Sequence, residues 1–422
     1  MILTTQQRPQ IGIEYELGIY NRDGTIANRA DKVLVCLQET TKKGRAPSFC
    51  PEGTLCQVEW NSLPGRSIDF LARELLESIT ALEAICEKLD VIPIPTSENG
   101  AGEGKPNPAK QHRVRVYEAV VGREALDRLF GISGIHLHID LHSGREAEQF
   151  NILTALRPAI AFTSTSPLSA DTKNGLNCHR YDLFANPTNG VFAAVPEEIR
   201  YIKFLAEIQA RDEIRYLSWK EAAEERGVDQ EEFARSFTIA NTGYPDIRYR
   251  PDMGKGTFEL RINDSCPADL LIAYAAFVQG YVHRAMTAKS IRPASSPEEP
   301  YSFQNEEVIL PHLHTLNDLT TRAIEKGLRD PTVAEYLQTL VAFAEHGLQN
   351  LERRYLQPLR ETITTRENCS DRAMHHVDPT WVTTPREYSE LEARRVNLFM
   401  RELQCHGTTQ LRALYLKSLR FA

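Results

Sequence analysis

The order of apolar patterns along the chain predicts an α+β fold, with an antiparallel or mixed sheet and a helical last third. Three observations carry this. Segments Gly12-Ile13-Glu14-Tyr15-Glu16-Leu17, Ile135-His136-Leu137-His138-Ile139-Asp140 and Phe258-Glu259-Leu260-Arg261-Ile262-Asn263 alternate strictly between large apolar and polar side chains. Successive side chains of a strand point to opposite faces, so each polar set shares one surface. Other strand-like runs are scattered through the first two thirds instead of alternating regularly with helices, which disfavours a parallel fold. From Ala268 onward a helical period dominates, interrupted near 291–311 and 366–385.

Taken in order, residues 11–20 read as a strand closed by the turn Asn21-Arg22-Asp23-Gly24. Residues 55–61 make a second strand, with Gln57, Glu59 and Asn61 on one face. Pro64-Gly65 interrupts, and Ser67 opens an amphipathic helix reaching to about Leu89. The proline-bearing segment 91–95 is expected as an edge strand or an extended link. Thr96 to Gln111 is rich in Gly, Pro and Asn, which predicts a flexible loop at the rim of a site. Its Gly100-Ala101-Gly102-Glu103-Gly104-Lys105 is not a phosphate loop, because the glycine spacing is wrong and Pro106 stands where a serine or threonine is needed. Helices are expected over Tyr117–Phe130 and over Glu146–Thr163, the second stopping at Ser164-Thr165-Ser166-Pro167. Residues 170–190, which include His179-Arg180 and Asn186-Pro187-Thr188-Asn189-Gly190, read as turns. Residues 195–240 read as charged helices, and Arg248–Asn263 returns to strand around Gly254-Lys255-Gly256.

The 422 residues allow one large domain or two to three ordinary ones. With 41% hydrophobic and 25% charged residues the chain is ordinary for a globular protein. A net charge of −8 and the absence of basic runs leave no electrostatic footprint for nucleic acid. No apolar run approaches the length of a membrane span. The first residues, Met1 to Pro9, lack a secretory layout. The eight cysteines form no Cys-x-x-Cys pair and no zinc-like spacing, so reduced thiols in a cytoplasmic protein are expected.

Each candidate residue has a plain alternative. An isolated Glu14-x-Glu16 is more often a solvated strand face, yet two carboxylates two residues apart suit two hard cations. Glu52 and Glu59 gain meaning only if they share that site. His136-x-His138 fits a metal or phosphate pair, or a hydrogen-bonded structural pair. His312 and His314, beside Pro311, read as surface. Glu259 and Arg261 form either an ion pair across a sheet or a cation ligand next to a bidentate phosphoryl fork. Arg180 is either a second clamp for phosphate or carboxylate, or a surface arginine. Their joint occurrence on alternating strands points to an enzyme handling divalent metal and phosphate.

Together and in order, these motifs resemble the glutamate–cysteine ligase type 2 family of carboxylate–amine ligases, which has the glutamine-synthetase-like fold. The matching pieces are Gly12-Ile13-Glu14-Tyr15-Glu16, then Glu52 with Val58-Glu59-Trp60-Asn61-Ser62, then Gly134-Ile135-His136-Leu137-His138. Ser164-Thr165-Ser166-Pro167, Arg180, Arg250-Pro251 and Gly256-Thr257-Phe258-Glu259-Leu260-Arg261 complete the series. The resemblance implies a curved, mainly antiparallel sheet forming a funnel for ATP and Mg²⁺, backed by helices. It makes residues 1–290 the catalytic sheet region and 291–422 a helical region packed on the same domain. It assigns one metal to Glu14, His136 and Glu259 and another to Glu16, Glu52 and Glu59. Arg261, with Arg180, would stabilise the transferred phosphoryl group, and His138 would meet a phosphate or polarise the substrate. The implied reaction activates a carboxylate, that of the glutamate side chain, as an acyl phosphate and joins it to an amine such as cysteine. The expected partners are small-molecule amino acids and amines, with no nucleic acid or membrane; a homo-oligomer is compatible with this reading. Two alternatives stand beside it: a metal-dependent hydrolase holding zinc on the His136-x-His138 strand, and a non-catalytic relative that binds nucleotide or amino acid.

Overall fold

In the computed structural model the described residues are 8–41, 48–97, 101–169, 175–185, 200–378, 381 and 387–419. The central sheet contains β1 (Ile11–Tyr20), β2 (Ser48–Pro51), β3 (Gln57–Asn61), β4 (Ile92–Ile94), β5 (Gly134–Asp140), β6 (Ile247–Arg250) and β7 (Thr257–Asp264). Its order is β2-β3-β1-β5-β7-β6, with β4 on the far end of β1, and every pairing is antiparallel. Alternation gives the sheet one dry face. Ile13 and Tyr15 of β1, Trp60 of β3, Leu137 of β5 and Leu260 of β7 are all buried there.

That face is covered by helices. They include α1 (Ile68–Lys88), whose start is capped by Ser67 Oγ accepting from the Phe70 N–H at 3.4 Å. Along the chain, and not all on that face, follow α2 (Gln111–Val121), α3 (Arg123–Leu129), α4 (His179–Ala185), α5 (Ala206–Glu225), α6 (Gln230–Ser236), α7 (Ala268–Met286), α8 (Pro331–Glu345) and α9 (Glu390–Leu419). Helix α7 is apolar nearly all round and lies at the centre, between the sheet, α1, α8 and α9. One apolar core therefore draws on both the sheet region and the last third of the chain.

Helices α2, α3 and α6 stand apart from this core, and α5 joins it only through Ile208 at its start. They share their own, in which Tyr117 meets Phe237 edge-on at 4.8 Å and Trp219 at 5.5 Å, with Val114, Leu126 and Phe233 around them. This group forms a cap over the polar face of the sheet.

Several boundaries differ from the sequence-based expectation, each for a local reason. The helix expected over 117–130 starts at Gln111 and breaks into α2 and α3 at Gly122, whose φ of +86° suits only glycine. The helix expected over 146–163 stops at Thr154 and resumes at Ile160 after a 3₁₀ turn containing Pro158, which lacks an N–H. A helix at Ala30–Thr41 was not anticipated. Within the turn-rich passage, His179 and Arg180 open helix α4, while Asn186–Gly190 lies outside the described residues. The interruption near 291–311 is a small sheet of β8 (Ser290–Pro293), β9 (Ser302–Phe303) and β10 (Glu307–Leu310). The second interruption contains a helix, Cys369–Val377, opened by a capping box between Asn368 and Asp371. No described helix is long and apolar enough to cross a membrane.

Candidate active site

Register brings the polar residues together on the face under the cap. Glu14 stands opposite His136 and Glu16 opposite Glu59, while His138 and Arg248 both stand opposite Glu259. Between the Ile135 and Leu137 pairs one residue of β5 faces two of β7, a bulge that turns Arg261 toward His136. The Arg261 guanidinium reaches within 3.5 Å of His136 Nδ1 and contacts Glu259.

Three acid-containing groups result, each with ligand atoms within 4.8 Å of one another: Glu16–Glu52–Glu59, Glu14–His138–Glu259 and Glu14–Glu59–His136. Glu16, Glu52 and Glu59 thus meet as one trio. Glu14 and Glu259 meet with His138, whereas His136 groups with Glu14 and Glu59 and lies 3.8 Å from Glu259. The two rings grip opposite oxygens of Glu14, His136 Nδ1 at 2.7 Å and His138 Nε2 at 2.9 Å. His312 is remote from all this; its side chain accepts from the His314 N–H at 3.3 Å and caps the helix Leu313–Lys326.

The charge balance of these groups differs. Burial works to raise the Glu14 carboxyl, but the His136 and His138 rings hold it well below the usual carboxylate range. Burial works the same way on Glu259, and Arg261 and Arg248 overcome it. Arg250 adds a third cation, 3.2 Å from Glu259. Glu59 has no such help: burial, then Glu52, Glu14 and Glu16, push its carboxyl up to about 9. Burial also raises Glu16, against His136 and Arg180. A cage of converging carboxylate oxygens whose nearest cation, Lys110, is 4.0 Å from Glu52 is the donor set a hard divalent ion takes, so the Glu16–Glu52–Glu59 trio fits Mg²⁺.

Arg180 reaches the site from the first turn of α4. Its Nη1 lies 3.9 Å from the Asp264 carboxylate and donates to the Ile262 carbonyl at 3.4 Å. Asp264 is itself held by the Thr165 N–H at 2.9 Å and the Ser166 hydroxyl at 2.6 Å. The Ser-Thr-Ser-Pro segment therefore anchors the arginine. Gly134 leaves the room it needs, since a Cβ there would collide with the guanidinium.

A cavity of about 300 Å³ opens between sheet and cap. Glu14, Glu16, Glu52, Glu59, His136, Arg180 and Arg261 line it, while His138 and Glu259 lie beyond its wall. The cap contributes Lys110, Arg113 and Tyr117, and β6 contributes Arg248. Sequence reasoning missed these. Arg248-x-Arg250 carried a readable signal, because it alternates on a strand as Glu259-x-Arg261 does. The cap residues sit on helices and carried none.

An antiparallel sheet presenting acid clusters and arginines to one cavity is the arrangement of a carboxylate-activating ligase of the glutamine-synthetase-like class. Residues 10–390 match the profile of the Glutamate-cysteine ligase family 2 (GCS2). The chain belongs to that family and is an ATP-dependent ligase that forms an amide bond. Among solved structures, it is similar to a glutamate–cysteine ligase (gshA) from Francisella tularensis in complex with AMP. The two share 16% identity over 98% of this chain and 94% of that one, with a TM-score of 0.58. A bifunctional glutathione synthetase from Pasteurella multocida is similar at 11% identity, over 95% of this chain and 53% of that one, with a TM-score of 0.51. No curated protein matches the sequence.

Proposed function

We propose that the protein uses ATP to activate the side-chain carboxylate of glutamate and joins it to the amino group of a second amino acid, with Mg²⁺ at the acid clusters. Cysteine is the acceptor that the family's name supplies. The observation that carries this reading is the meeting of Glu16, Glu52 and Glu59 with Glu14 and Arg261 in one cavity, with His138 and Glu259 at its edge.

In this reading a carboxylate oxygen attacks the γ-phosphorus, the bond to ADP breaks and an acyl phosphate forms. The amine nitrogen then attacks the acyl carbon, phosphate leaves and the nitrogen gives up a proton. Glu16, Glu52 and Glu59 would hold one ion, and Glu14, His138 and Glu259 the other, with His136 fixing Glu14 from its second oxygen. Bound Mg²⁺ supplies charge neutralisation and alignment of the reacting oxygens. Arg261 offers its planar fork to the phosphoryl oxygens as charge builds on them, and Arg180 supports it from the adjacent wall. The cap keeps water away from the acyl phosphate, which hydrolysis would otherwise waste.

The test is ADP release with glutamate and a panel of amines, in wild type and in Glu14→Gln. Release that needs both glutamate and an amine, and that falls by about 100-fold in the variant, is the expected outcome. ADP release indifferent to glutamate, or unchanged in Glu14→Gln, would refute the reading.

A further inference from the structure

Five cations line the cavity: Lys110, Arg113, Arg180, Arg248 and Arg261. Four of them face a carboxylate. Lys110 lies 4.0 Å from Glu52, Arg180 3.9 Å from Asp264 and Arg248 3.5 Å from Glu259, and Arg261 touches Glu259. Arg113 pairs with no carboxylate among the described residues. Its guanidinium is set instead over two rings of the cap core, 5.6 Å from the centre of Tyr117 and 5.3 Å from that of Phe237. Those rings pack against each other and Tyr117 also hydrogen-bonds the guanidinium, so the cation has a fixed position while the carboxylate that acts on it, Glu52, forms no ion pair with it. Next to it the cap presents an apolar wall of Val114, Leu126, Leu129 and Phe130. A half-buried guanidinium beside an apolar surface is a receptor for a carboxylate attached to an apolar body.

We propose that Arg113 is a specificity-determining residue that binds the free carboxylate of the acceptor, and that the acceptor is an amino acid with a bulky apolar side chain. This rests on the ligase reading and narrows its acceptor away from the cysteine of the family's name. The assignment to the acceptor follows from the division of the cavity. The donor carboxylate must lie at the acid clusters and Arg261, on the sheet side, and glutamate has nothing apolar to set against the cap. The acceptor brings only its nitrogen to the reacting centre, so its carboxylate and side chain extend toward the cap.

The experiment measures kcat/KM with ATP, glutamate and leucine, phenylalanine or methionine, each against its own amide and against glycine. Hydroxylamine serves as a small acceptor in wild type: hydroxamate formation verifies the ligase chemistry, and its absence would remove the ligase reading independently of Arg113. Wild type is expected to prefer an apolar amino acid over its amide by about 30-fold or more, and over glycine by at least about 10-fold. Arg113→Met should bring the acid-to-amide ratio near one through the acceptor KM, and Arg113→Lys should restore part of it. A wild type that treats acid and amide alike overturns the proposal, whether or not Arg113→Met folds. So does hydroxamate formation with no apolar amino acid accepted, or an Arg113→Met whose KM rises for ATP or glutamate instead of the acceptor.

Discussion

Replacing Glu59 by glutamine should make the metal-free protein more stable and the enzyme nearly inactive. Glu59 sits on β3 opposite Glu16, and burial together with Glu52, Glu14 and Glu16 pushes its carboxyl from 4.5 up to about 9. In the unfolded chain the group ionises above pH 4.5, while the folded protein keeps it protonated until about pH 9. Folding is therefore unaffected by this group below the lower value and loses stability as pH rises toward the upper one. The loss grows by about 1.4 kcal/mol per pH unit and reaches about 4 kcal/mol near pH 7.5, an upper bound because the neighbouring acids relax. Glutamine has no charge to suppress and keeps an oxygen for the Asn61 amide at 2.9 Å and the Cys50 thiol at 3.1 Å. Urea unfolding followed by circular dichroism, in chelator and in Mg²⁺-ATP at several pH values, tests this. In chelator the variant should exceed wild type by up to about 4 kcal/mol near pH 7.5, and the gain should widen as pH rises from about 6 to 8.5. The stabilisation by Mg²⁺-ATP should shrink and turnover should fall by about 100-fold, because two of the acid groups lose a ligand. A metal-free variant that is no more stable than wild type, a gain that narrows with rising pH, or full turnover would each refute the reasoning.

Arg261→Lys should reduce kcat by about 100-fold with little change in stability, read from ADP release, because a point charge does not reproduce the fork that meets phosphoryl oxygens. Near-normal turnover would exclude the role. Gly134→Ala should lower kcat/KM by about 10-fold or more while circular dichroism stays unchanged, since the new Cβ displaces Arg180 and also comes within 3.1 Å of the Asn263 carbonyl oxygen. Asp269, at the start of α7, has its carboxyl pushed by burial from 3.8 to about 6. Its stability deficit is absent below pH 3.8 and complete above about 6, so Asp269→Asn should stabilise the protein near pH 8 by up to about 3 kcal/mol and not in acid. Paired urea titrations near pH 4 and pH 8 check the sign.

The strands that carry the acids were legible for a physical reason. One face of β1, β5 and β7 must be dry, so alternation fixes which side chains share the wet face, and Glu14, Glu16, His136, His138, Glu259 and Arg261 could be placed before any coordinates. Glu52 had no such period, because it sits in the turn between β2 and β3 and is brought to Glu59 by the pairing of those strands. Arg180 was obscured by its setting, a helix of seven residues inside a turn-rich passage, held from behind by Asp264 and Ser166. The cap was illegible for a deeper reason. Its core joins α2 and α3 to α5 and α6, on the far side of β5 in sequence, and nothing in the helical period of either segment says which other segment it packs against. Two single residues, Gly122 and Pro158, did mark the helix breaks, and each outweighed the periodicity around it.

The two acid clusters are not equivalent, and the difference gives the proposed reaction an order. Glu14 and Glu259 already have partners, Glu14 the His136 and His138 rings at hydrogen-bond distance and Glu259 the cations Arg248, Arg250 and Arg261. Glu16, Glu52 and Glu59 have weaker help, from Lys110 4.0 Å from Glu52, from His136 3.7 Å from Glu16 and from Arg180, and burial with the neighbouring acids still pushes Glu59 up to about 9. In the proposed reading the trio would hold the first cation, whose charge would offset the repulsion among the three acids. In the second cluster Arg261 rests on Glu259. In that reading phosphoryl oxygens would compete with Glu259 for Arg261, leaving the carboxylate to Arg248 and Arg250 and more open to a second ion. In the proposed reading nucleotide and second cation would then be coupled in part through Arg261, which would tie that residue to assembly of the site as well as to the phosphoryl group it would stabilise.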